Sequence, residues 1–145
     1  MFSKFIQKIM TSSVTYSGDL RTLATHLQSG SLIETDAPTD NQGKGERFSP
    51  TDLIGTSLAA CMLTTMAIRA KDLELKLKGT TCHTEKIMSA APPRKISKLN
   101  IKFSWPEPGV FTVEEQERLE SIAWSCPVKE SIHPDIDLDV NFNWG

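Results

Sequence analysis

No stretch of this 145-residue chain is apolar for long enough to cross a bilayer. The longest apolar run, residues 53–68, carries Ser or Thr at four positions and falls short of the roughly 20 residues a span needs. Residues 1–10 are mildly amphipathic but have no uninterrupted apolar core and no small-residue cleavage site, so they do not read as a signal peptide. Charge of one sign is missing as well. Sixteen Lys and Arg stand against 18 Asp and Glu, for a net charge of −2, and no basic patch offers itself to nucleic acid. Cysteine is scarce. Cys61, Cys82 and Cys126 are odd in number and widely spaced, which excludes an extracellular disulfide framework, and no Cys-x2-Cys pair suggests structural zinc. Gly43-x-Gly45 lacks the following Lys-Ser or Lys-Thr of a phosphate loop. These absences leave a cytoplasmic protein with no membrane association as the expectation, built as a single domain over residues 1–145.

What is present is organised around residues 48–71. Ser49 is a helix cap, Pro50 sits where a missing N–H costs nothing, and Asp52 falls three residues after the cap. Leu53, Ile54, Leu58, Ala59, Ala60, Cys61, Met62, Leu63, Met66, Ala67 and Ile68 follow, and Arg69 is the first charge after Asp52. A helix apolar on most of its faces belongs inside the molecule or against a partner chain. The pattern predicts a buried central helix of about four to five turns.

Residues 5–35 read as strands, with a hairpin turn at Ser17-Gly18-Asp19, a second strand near residues 20–27, another turn at residues 28–31 and a short strand through Leu32 and Ile33. Arg21 shares a face with Leu23 in that second strand. Residues 35–47 form a polar loop of the length that is often functional. Beyond the helix, residues 71–79 alternate through Leu73, Leu75 and Leu77 and read as a half-buried strand. Residues 80–90 and 95–105 form a long hairpin turning at Pro92-Pro93, with a bulge expected between Ile96 and Leu99. Thr112 and Glu115 make a capping box for a helix whose buried stripe is Leu119, Ile122 and Ala123. Pro127 interrupts it and starts a short helix, and residues 136–144 make a last strand. The order predicts an α+β fold with mostly antiparallel pairing.

The remaining question is whether a cysteine reacts. Cys126 stands at a helix start, where unpaired N–H groups favour a thiolate, although a thiol so placed can still be idle. Cys61, among Ala59, Ala60, Met62 and Leu63, reads by itself as a buried structural cysteine. His26, His83 and His133 are scattered, and Cys82 and His83, adjacent in a strand, point to opposite faces and make no dyad.

Ser49-Pro-Thr-Asp-Leu-Ile-Gly-Thr-Ser-Leu-Ala-Ala-Cys-Met62 together with Cys126-Pro-Val128 resembles the OsmC/Ohr family of osmotically inducible and organic hydroperoxide resistance proteins. Tyr16-Ser-Gly-Asp-Leu-Arg21 and Gly43-Lys-Gly-Glu-Arg-Phe48 are similar to the OsmC-like branch, and the likeness spans essentially the whole chain. The resemblance implies antiparallel sheets around a buried central helix, an intertwined homodimer with two interfacial active sites, and a thiol peroxidase needing no metal or flavin. It implies that Cys61 is peroxidatic, that Cys126 resolves its sulfenic acid as a Cys61–Cys126 disulfide, and that an external dithiol, lipoyl groups in the family, restores the pair. An arginine of the N-terminal strands, matched by Arg21, stabilises the thiolate and orients the peroxide. The family's glutamate partner for that arginine follows the helix proline; here Thr51 stands there, and Glu46 and Asp52 are the acidic residues placed to substitute. Apolar neighbours of Cys61 favour an organic hydroperoxide over hydrogen peroxide. The competing readings are a cysteine-based acyl hydrolase, which lacks an evident base, and an OsmC-fold binding or stress-response protein without turnover.

Overall fold

In the computed structural model, which describes residues 10–145, strands β1 (Ser12–Gly18), β2 (Arg21–His26) and β3 (Leu32–Asp36) form an antiparallel meander in that order. The strand character expected of residues 5–9, and the amphipathic start they belong to, lie outside the described residues. The first turn uses three consecutive residues at positive φ, Gly18, Asp19 and Leu20. Strand β3 runs three residues past Ile33, because its end is paired on both sides: Thr35 and Asp36 pair with Thr22 and Arg21 of β2, and Thr35 bridges Phe48, with the Asp36 amide donating to the Phe48 carbonyl at 3.1 Å. The polar loop therefore begins after Asp36. Its Gly43 folds onto Ala37, where a Cβ would lie 1.6 Å from the carbonyl oxygen, so only glycine fits that close approach.

Two compact units make up the chain, Met1–Leu53 and Ile54–Gly145. In the first, the buried residues among those described are Thr35, Asp36 and Ser49, and none is apolar. The helix start at its end is as expected. Ser49 Oγ accepts from the Asp52 amide at 3.1 Å, and Asp52 Oδ2 accepts from the Ser49 amide at 2.7 Å.

Helix α1 (Pro50–Arg69) is apolar on most faces but buried on one. Gly55, Leu58, Ala59, Met62, Thr65 and Met66 are covered, whereas Ile54 and Ile68 are 38% and 75% exposed. The expectation that the helix lies inside the molecule or against a partner chain holds for this covered face within the single chain. Gly55 marks where it meets a second sheet: a Cβ there would sit 3.2 Å from Leu99 and 3.8 Å from Thr84. Counted from cap to Arg69, α1 is also long and apolar enough by composition to cross a membrane, which the shorter run 53–68 was not.

The second sheet has the order β4 (Thr81–Met88), β5 (Ile96–Ser104), β6 (Asp137–Asn141). Strands β4 and β5 pair antiparallel, and the expected bulge falls at Ser97, which the register skips between Lys98 and Ile96. Strands β5 and β6 are parallel, which corrects the expectation of antiparallel sheets. Two helices, α3 (Val113–Trp124) and α4 (Pro127–Ser131), connect them, and such a crossover returns the chain to the same sheet end. Alternation along a strand carries no information about direction.

Residues 71–79 are likewise corrected from strand to helix. A 3-10 turn at Lys71–Leu73 leads into α2 (Glu74–Leu77). Leu73 and Leu77, four apart, are 4% and 7% exposed, while Leu75 between them is 87% exposed. Lys76 adds an ion pair to Glu115 at 2.8 Å, which the helical conformation presents. The Thr112–Glu115 capping box forms as expected. The C-terminal rings close one end of the core, Trp144 stacking on Trp105 with centroids 4.1 Å apart. The fold is α+β, with one antiparallel and one mixed sheet.

Candidate functional site

Cys61 lies midway along α1, at the border of its buried face, and is partly exposed. Its carbonyl accepts from Thr64 Oγ1 at 3.2 Å, and its Sγ lies 3.9 Å from Thr65 Oγ1. Of its apolar sequence neighbours, Ala59 and Met62 turn into the core, Leu63 is half-buried and Ala60 is exposed. Its neighbours along the exposed stripe are Ile54 and Ile68, seven residues to either side and hence two turns away on the same face.

Cys126 is the N-cap of α4 and completely buried, its Sγ accepting the Lys129 amide at 3.4 Å. The local readings of the two cysteines thus exchange places: the helix-start thiol is inside and the mid-helix thiol is reached by solvent. Burial pushes the Cys126 thiol above its ordinary range, and the Lys129 amide works against that rise. Cys61 raises it further, since a charge on one sulfur opposes a charge on the other. Both are free. What the structure brings together is therefore one accessible and one buried thiol, 65 residues apart in sequence. Cys82 pairs across β5 with Phe103, and burial pushes its thiol up to about 12.

In the N-terminal unit Arg21 is held by two carboxylates. Its Nε and Nη2 donate to Asp36 Oδ1 and Oδ2 at 2.7 and 2.9 Å, and Nη2 also donates to Glu46 Oε2 at 3.0 Å. The Glu46 amide in turn donates to Asp36 Oδ2 at 3.1 Å, which ties the loop to the strand. Asp36 is 1% exposed. The Arg21 guanidinium holds its carboxyl below the usual range in spite of that burial, and the two carboxylates raise Arg21 further above its own. Of the two acidic residues named from the sequence, Glu46 reaches Arg21, whereas Asp52 serves the helix cap. Thr51 likewise turns to the cap, its Oγ1 lying 3.1 Å from Ser49 Oγ. Asp36, the more deeply buried partner, was missed. The observed register puts Arg21 opposite Asp36, whereas a turn at residues 28–31 would put Pro38 there, so the turn as read from the sequence points two residues past the partner.

Among the described residues no group of three or more His, Cys, Asp or Glu side chains is placed to hold a metal ion.

The family described as OsmC-like protein matches residues 43–141. No curated protein matches the chain. A crystal structure from Psychrobacter arcticus 273-4, described as an osmotic stress induced and detoxification response protein, is 51% identical. It covers 91% of this chain and 94% of its own, with a TM-score of 0.84. An organic hydroperoxide resistance protein OsmC from Legionella pneumophila is 18% identical, over 92% of this chain and 96% of its own, with a TM-score of 0.68. An OsmC-like protein from Mycoplasma pneumoniae is 17% identical, over 90% and 92%, with a TM-score of 0.67. At such identities the latter two speak for the fold. The family match covers more than half of the chain, takes in both cysteine motifs and agrees with the 51% identical structure over nearly its full length: the chain belongs to the OsmC-like family.

Proposed function

We propose that the protein is a thiol peroxidase that reduces organic hydroperoxides, with Cys61 as the attacking sulfur and Cys126 as the resolving one. The coarser role, in redox and stress response, follows from family membership and is in keeping with the description of the Psychrobacter arcticus structure. The observation that carries the finer reading is the pairing of an accessible thiol with a buried one. Peroxide arrives from solvent, so the exposed sulfur meets it first, and the buried sulfur is kept for the intermediate.

In the first step the Cys61 thiolate attacks the peroxide oxygen. The O–O bond breaks, the alkoxide takes a proton and leaves as an alcohol, and Cys61 becomes a sulfenic acid. In the second, the Cys126 sulfur displaces hydroxide from that sulfenic acid; its thiol proton leaves with the hydroxide as water, and a disulfide forms. An external dithiol, with a lipoyl group as the expected form, reduces the disulfide by two thiol–disulfide exchanges. Ile54 and Ile68, on the exposed stripe with Cys61, suit an alkyl substituent better than hydrogen peroxide. Arg21 is the cation we assign to orienting the peroxide, with Glu46 and Asp36 in the place of the family's glutamate. Its Nη1 is engaged by neither carboxylate. Cytoplasmic location, where a dithiol reductant is at hand, belongs to the same proposal.

Peptide mapping after one equivalent of cumene hydroperoxide tests this. The expected product is a Cys61–Cys126 disulfide with Cys82 free, no turnover in Cys61→Ser, and slower alcohol release in Arg21→Ala. Three unmodified thiols after prolonged exposure would overturn the peroxidase reading and leave an OsmC-fold protein that binds without turning over.

A further inference from the structure

The residue just before Cys126 is gripped by the helix that carries Cys61. Arg69, the last residue of α1, donates from Nη1 to Ser125 Oγ at 2.7 Å, and that hydroxyl donates to the Ile122 carbonyl, also at 2.7 Å. Ser125 is the C-cap of α3, and the Cys126 amide closes the same turn on the Ala123 carbonyl at 3.2 Å. A second arginine fastens the same helix. Arg118 of α3 chelates Asp72 with both Nη atoms at 2.9 Å and reaches the carbonyl of Arg69 itself at 3.4 Å.

These contacts close a ring. From Cys61, α1 runs eight residues, about 12 Å, to Arg69. Arg69 holds Ser125, Ser125 is bonded to Cys126, and Cys126 belongs to the core cluster against which Cys61 packs. Three sides of the ring are stiff: a helix, a peptide bond and the packed core that holds both cysteines. The fourth is the single Arg69–Ser125 hydrogen bond, charge-assisted and solvent-exposed. Pro127 fixes its own φ and holds the preceding Cys126 extended, with φ −69° and ψ 145°, so the turn is set from both sides.

We propose that Arg69 is a positioning residue for the resolving step. It touches neither sulfur; it fixes the turn before Cys126, so that the buried thiol stays aligned with Cys61 while the sulfenic acid forms. The step it governs is the condensation of Cys61–S–OH with Cys126–SH to a disulfide and water. The preceding attack on the alkyl hydroperoxide does not depend on it. The inference rests on the peroxidase reading for its role in turnover, and on geometry alone for the alignment.

Single-turnover mixing with one equivalent of cumene hydroperoxide, quenched with dimedone, separates the two steps. In Arg69→Ala alcohol release keeps the wild-type rate, while the trapped sulfenic acid persists about tenfold longer or more, as expected when a reacting pair is misplaced. Ser125→Ala removes the acceptor from the other side and gives the same delay. The double variant is no slower than either single one, because both cut the same link. Arg69→Lys recovers part of the rate. Condensation at the wild-type rate in Arg69→Ala overturns the proposal. Glutathione buffers give a readout that needs no peroxide: the two thiols are oxidised as one glutathione disulfide is reduced to two thiols. There the same variants lower the effective concentration of Cys126 towards Cys61 by a similar factor, and an unchanged equilibrium overturns the alignment. A wild type that forms the disulfide in glutathione but never with hydroperoxide overturns the peroxidase reading alone.

Discussion

Arg21 is shared by two carboxylates of unequal burial, Asp36 at 1% and Glu46 at 61% exposure, and they answer to pH and salt differently. An unfolded aspartate titrates near about 3.9, and Arg21 holds Asp36 below that. A carboxylate whose folded pKa is depressed contributes stability that is fully present above the unfolded value and is lost as pH falls through the folded one. Asp36→Asn is therefore expected to melt at a lower temperature than wild type at pH 7, the gap narrowing as pH falls below about 4. Thermal unfolding followed across that range checks it, and a gap independent of pH would assign the loss to packing instead. Glu46→Gln, at an exposed pair, is expected to change the melting temperature little, and less still in high salt. At this scale the sequence was legible where a residue's type restricts its chemistry. Three cysteines and one strand arginine could be named from type and motif. Burial could not be read in the same way, because it depends on what covers a residue. That is why Cys126, placed at an apparently open helix start, is the buried thiol, and why Asp36, at the head of a polar loop, is the buried partner of Arg21.

At the scale of elements, the leucines of residues 73–77 discriminate between two periods. A strand would put Leu73, Leu75 and Leu77 on one face, and a truncation at any of them would cost alike. In the helical turns observed, Leu77 is covered and Leu75 is not. Leu77→Ala is expected to cost about 2–5 kcal/mol in denaturant unfolding, and Leu75→Ala no more than about 0.5 kcal/mol. Equal losses would restore the strand. Five residues of alternation hold too few positions to separate a period of 2 from an i, i+4 pair, and Glu115, which receives Lys76, is 39 residues away in sequence. The long elements were readable for the opposite reason. Helix α1 carries a proline, a cap and a run of apolar residues, and α3 carries a complete capping box, so several local signals agree at each start. Strand direction is set by a connection rather than by the strand. The parallel β5–β6 pair follows from the α3–α4 crossover and has no mark in either strand.

For the whole molecule, the distribution of exposed apolar residues argues for a second chain. Val14, Tyr16, Leu32, Ile33 and Phe48 are all exposed in a meander that buries no apolar residue among those described. Three strands that fully bury no apolar side chain do not hold together in water by their ladders alone. Ile54 and Ile68 leave a second uncovered stripe on α1. A second copy of the chain, in the homodimer that the resemblance implies, would supply apolar cover for both. Sedimentation equilibrium is expected to return twice the chain mass of 16.1 kDa at micromolar concentration. Tyr16→Glu, which would place an unpaired charge in a covered face, is expected to shift that equilibrium towards the single chain and to lower the melting temperature with it. A wild-type protein that sediments as a single chain and still melts cooperatively would mean that the meander is stabilised without a partner. The exposed stripe beside Cys61 would then be open to substrate along its whole length. In a dimer only the part left uncovered can admit one, so the same measurement also bounds how large a hydroperoxide the thiol can meet.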